Sequence, residues 1–182
     1  MDKRFLINIS LLQIVPALTA GLLFAGIGMF LYLYITSRKK THLAMFLLAT
    51  LGFVFVLSEL FIVLFGMVFN NSALSIQFHR LEQVCGAYFL FILPYFLYHY
   101  LNISDRINRI SSYVAFSGLC VALVMTIIAF VEPDLFISVT NSRRPHWLIE
   151  VGGMRRGQEG DLYIIRDLLL GVIVLYCIFL LA

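Results

Sequence analysis

Six side chains that can carry charge stand out in an otherwise apolar sequence: Glu59, the cluster His79, Arg80 and Glu82, and the pair Arg166 and Asp167. A carboxylate inside an apolar run costs about 2.5–3.5 kcal/mol on membrane-insertion scales, so it needs a partner or a purpose. Glu59 lies about seven residues from the end of its run. At about 1.5 Å per helical residue it is buried about 10 Å deep. His79 and Glu82 are three residues apart and share a helix face. The three groups close or open three different apolar runs on a common side, which describes a pocket for a polar or charged ligand. The plainer account of the same residues is a set of structural ion pairs and arginines that snorkel to the interface.

Other chemistry finds less material. The sequence holds no GxSxG, HExxH, P-loop or GxGxxG pattern, so no catalytic set emerges. Cys85, Cys120 and Cys177 lie inside apolar runs without CxxC spacing and read as small buried hydrophobes. His42 and His99 begin one run and end the next on the same side, an arrangement a haem can use. Both sit beside a polar flank where an amphipathic side chain is at home, so no cofactor is expected. Gly152-Gly153 with Arg155-Arg156 can form an anion nest, but reads first as a loop tip. Asn8-Ile9-Ser10, Asn70-Asn71-Ser72 and Asn102-Ile103-Ser104 match the glycosylation pattern at membrane edges.

The elements that must position these residues are membrane helices. Of 182 residues, 62% are apolar and only 13% charged, with a mean hydropathy of +0.97. Soluble domains carry about 25% charge, so a soluble enzyme and a nucleic-acid binder are both excluded. A span needs about 20 mostly apolar residues. Four runs qualify: about Leu11–Ile35, His42–Phe69, Phe78–Leu101 and Ile110–Val131. Phe5–Ser37 is uncharged for 33 residues, too long for a signal-peptide core, and reads as a retained helix. Pro94 is expected to kink the third helix, which ends in Tyr95, Tyr98, His99 and Tyr100, an interfacial girdle. A fifth helix starts at Arg166-Asp167 and runs through 15 apolar residues to Ala182, short of a span. That shortness suggests a fragment whose next residues complete it. The one long connection, about 135–165, reads as an extramembrane loop in which Leu135–Val139 and Trp147–Val151 can form strands. No run alternates as a membrane barrel requires. The fold class is therefore all-α, a polytopic membrane helix bundle of four full transmembrane helices plus a truncated fifth, forming one domain over 1–182.

Lysines and arginines favour the cytoplasmic side. Five (Arg38, Lys39, Lys40, Arg106, Arg109) fall on the side after helices one and three, and eight on the other. The full count thus puts the N-terminus inside, whereas the first helix alone, three after it against two before it, puts it outside.

The run from Ser37 to about Phe136 resembles the N-terminal seven-helix sensor region of bacterial membrane histidine kinases, related to regions that precede cyclase and phosphatase domains. The resemblance rests on the basic turn Arg38-Lys39-Lys40 leading to a helix with the late acid of Ser58-Glu59-Leu60. It rests also on Phe78-His79-Arg80-Leu81-Glu82-Gln83-Val84-Cys85-Gly86, on Pro94 followed by Tyr95 to Leu101, and on the uncharged fourth helix closing at Glu132-Pro133-Asp134 before a long loop. Phe53 and Phe55 stand in helix two, where the family often has Trp. The resemblance implies an N-terminus and long loop outside, in a bacterial inner membrane, two further helices, and a downstream signalling domain in the same chain. It implies a sensory input module, not itself an enzyme, whose partners are the bilayer, that domain and, in a homodimer, a second copy, with no nucleic acid. The alternatives are part of a transporter, which would need a symmetry-related second half, and a lipid-acting membrane enzyme built on Glu59, Glu82 and His79.

Overall fold

The computed structural model describes residues 3–69, 71–101, 105–132, 135, 137–138, 158–159 and 161–181. Five helices carry the fold: α1 Lys3–Ser37, α2 Lys40–Val63, α3 Ser72–Tyr100, α4 Asp105–Val131 and α5 Asp161–Leu181. Each contains a stretch long and apolar enough to cross a bilayer, so the all-α membrane bundle expected from the sequence is the observed architecture. Helices satisfy every interior backbone group within themselves, which hydrocarbon demands. Hydroxyls inside them bond back one turn: Ser58 Oγ donates to Val54 O at 2.8 Å, Ser117 Oγ to Tyr113 O at 2.8 Å and Thr126 Oγ1 to Ala122 O at 2.8 Å.

The helices are longer at their N-termini than hydropathy alone suggests. α3 starts six residues earlier, α4 five and α5 five, because polar first turns outside the apolar run are helical too. The correction matters most for α5. The sequence made it short of a span, yet Leu162–Leu181 gives it 20 residues, enough to cross. It also shortens the expected 135–165 loop. Ile137–Ser138 (β1) pairs antiparallel with Gln158–Glu159 (β2), and α5 follows at once. Trp147–Val151 and the Gly152–Arg156 segment lie outside the described residues.

Turns are set by specific residues. Arg38 takes a left-handed conformation, φ 54°, to reverse the chain between α1 and α2, at a cost of roughly 1–2 kcal/mol for a residue with a Cβ. Its N–H donates to Tyr34 O at 2.8 Å. α2 ends in a π-helical turn, Leu64–Val68, with Phe69 N donating to Leu64 O at 3.1 Å. Asn71 then caps α3, its Oδ1 accepting from Leu74 N at 3.2 Å. Phe61, Phe65 and Phe78 pack across this turn, with ring centroids 4.8–5.9 Å apart.

α3 is the central helix. It packs on α2, α4 and α5, while α1 packs on α2. Half of its membrane stretch is buried, against 6% for both α1 and α5. The interfaces are made by small side chains, as expected where lipid supplies no hydrophobic drive between helices: Ala44, Ala49, Ala87, Ala115 and Ala122 are buried. The large apolar residues of the outer helices, such as Leu22, Phe130 and Phe179, face outward to where lipid lies. At Gly118, α4 meets the α3 backbone: a Cβ there would sit 2.3 Å from Leu90 O. Pro94, four residues on, has no N–H to offer that carbonyl, so the glycine lies against an oxygen that lacks its usual i+4 donor. Chain direction makes α3 and α5 parallel, with α4 antiparallel to both. Ser111 Oγ meets Tyr176 OH at 2.8 Å, linking α4 to α5.

Candidate functional site

The N-terminal turns of α3 and α5 and the C-terminal part of α2 meet at one end of the bundle. Ser75 Oγ donates to the buried Ile62 O at 3.1 Å and fixes α3 against α2 there. The polar residues of α3 then follow in two turns. His79 Nδ1 lies 2.8 Å from Glu82 Oε2, both side chains 12% exposed. The i,i+3 pairing inferred from spacing is thus made.

Arg166 is the best-buried charge at this end, at 6% exposure. It enters the notch left by Gly86, where an added Cβ would fall 2.9 Å from its Nη1. There Nη1 donates to the side-chain carbonyl of Gln83 and lies 3.5 Å from Gln83 O. Asp167 Oδ1 accepts from Nε at 3.0 Å and from Nη2 at 2.5 Å. The guanidinium also lies over the Tyr163 ring, 4.5 Å from its centroid, a cation–π contact worth about 1 kcal/mol. Four of the five guanidinium N–H groups thus have acceptors, and removing an acceptor from a buried charge is costly.

Of the six residues read from the sequence, four form two described pairs, His79–Glu82 and Arg166–Asp167. Glu59 and Arg80 are half-buried and both engaged in interactions. Gln83, Gly86 and Tyr163 were not singled out. The amide carries no charge to flag it, and the glycine shows its purpose only once a side chain is seen in the notch. Among the described residues, Gln13 Nε2 of α1 is buried without a hydrogen-bond partner.

The opposite end has a different character. His42 Nδ1 lies 2.6 Å from Ser37 Oγ across the α1–α2 turn. Thr41 Oγ1 donates to His99 O at 3.1 Å. The His99 ring sits edge-on to Tyr95 and Tyr98, each 4.6 Å away. Both histidines are used structurally, and among the described residues no three His, Cys, Asp or Glu side chains gather as a metal would need.

No family model matches the chain, and no curated protein or solved structure matches it either.

Proposed function

We propose that this chain is the membrane-embedded input module of a bacterial signalling protein, in which a polar or charged stimulus at the Arg166 end shifts α5 and so biases an output domain carried further along the same polypeptide. The observation that supports it is the Arg166 clamp. α5 is buried over only 6% of its membrane stretch, yet its first turns are held to α3 by a buried guanidinium. A ligand that competes for Arg166, or for the half-exposed Asp167, alters the grip of α3 on α5. That is a basis for coupling, provided the ligand binds the two packings with different free energy. The N-terminus and the clamp lie on the outer side in this reading. α5 then leaves the membrane on the cytoplasmic side, where an output domain would be.

The test begins with the gene beyond the codon for Ala182. Further helices followed by a kinase, cyclase or phosphatase domain, whose activity in membranes changes when Arg166 is replaced by Met, support the reading. A stop codon, a second helical bundle, or an output activity indifferent to Arg166→Met overturns it.

A further inference from the structure

A second ligand-sized space lies away from the clamp, and the proposed function does not use it. α4 and α5 both rest on α3 and leave between them a groove of about 400 Å³, open to one side. Leu90 of α3 forms its floor, Ile110, Val114 and Val121 one wall, Leu169 and Ile173 the other. Its one lining side-chain hydroxyl beside the phenol of Tyr113 is Ser117, which is occupied with Tyr113 O. A polar occupant would leave its own groups unpaired there.

The dimensions select hydrocarbon. From Ile110 to Val121 the wall rises 11 residues, about 16 Å at about 1.5 Å each. That is about half the roughly 30 Å hydrocarbon thickness, one leaflet. A volume of about 400 Å³ drawn out over that length is long and narrow, the shape of an extended acyl chain. An acyl chain fits.

The groove also has a charged mouth. Tyr113, which lines it, is 72% exposed. The exposed Arg109 stands one helical turn nearer the membrane edge on the same face. In the sequence, the turns after α1 and α3 hold five basic residues, Arg38, Lys39, Lys40, Arg106 and Arg109, against one acid, Asp105.

We propose that the α4–α5 groove binds one anionic phospholipid, its acyl chain against Leu90 and its headgroup at Arg109. The test is native mass spectrometry of the full chain reconstituted in vesicles of equal phosphatidylcholine and phosphatidylglycerol, then extracted in mild detergent. Wild type should retain a single phosphatidylglycerol. Val121→Phe and, from the facing wall, Leu169→Phe should fill the groove and cut that retention by about tenfold, with helix content unchanged by circular dichroism. Arg109→Gln should remove the preference for phosphatidylglycerol while phosphatidylcholine retention stays. Retention that neither filling variant lowers, equal retention of the two lipids by wild type, or a wild-type dimer that the filling variants dissolve would overturn the proposal, the last by making a second copy the occupant.

Discussion

The contacts of α4 and α5 with the central helix are built around glycines and behave in opposite ways. At Gly118 the approach is backbone to backbone, and an added Cβ would press on Leu90 O at 2.3 Å with no atom free to yield. At Gly86 the neighbour is the far end of Arg166, a flexible side chain whose Nη1 is 2.9 Å from the same kind of added atom. The first contact is made of parts that cannot rearrange separately. The second is a polar plug with several rotatable bonds. α4 is therefore fixed scaffold, and α5 is the element whose attachment can be loosened without opening the bundle.

Four substitutions sharpen or break that contrast. Gly118→Ala should be the most damaging, at about 3 kcal/mol, since overpacked cores without room to relax lie at this level; a thermal midpoint close to wild type in detergent would mean the helices separate easily. Arg166→Met should cost about 2 kcal/mol by stranding the buried Gln83 carbonyl, and its effect should be local. Spin labels at the exposed Leu81 and Ile164 should report a broadened α3–α5 distance, while labels at Leu74 and Phe130 keep a sharp α3–α4 one. Broadening of both would show that the two contacts are not independent. Gly86→Ala should cost less than about 1 kcal/mol because the flexible end of Arg166 can shift slightly and still reach Gln83, and in the Arg166→Met background it should cost nothing further, a non-additivity that a double-mutant cycle measures. Glu82→Gln should be smallest, about 0.5 kcal/mol for one i,i+3 pair, and should leave both labelled distances unchanged.

Much of this was legible before any coordinates. Apolar runs located four spans in full and most of the fifth, because the bilayer imposes one length and one polarity on each. Three residues of spacing sufficed for His79–Glu82. The first turns of α3, α4 and α5 were not legible, since Ser72–Gln77, Asp105–Asn108 and Asp161–Ile165 mix polar and apolar residues and hydropathy cannot tell a solvated helical turn from a loop. The Arg166–Gln83 bond joins residues 83 apart in the chain. Only the parallel docking of α5 on α3 brings them together, and no local pattern encodes that.

The polar opening of α3 also bears on how the protein is made. With His79, Arg80, Glu82 and Gln83 inside it, the α3 stretch has a mean hydropathy of 1.3, against 2.1–2.6 for the other four. Such a segment partitions poorly into lipid on its own. It is best delivered to the bilayer as a hairpin with α2, already joined to it by the phenyl rings and by Ser75. The partner of Gln83 then arrives only when the ribosome has added Arg166. Until Arg166 is made, Gln83 lacks that partner, so α5 completes the site that α3 began.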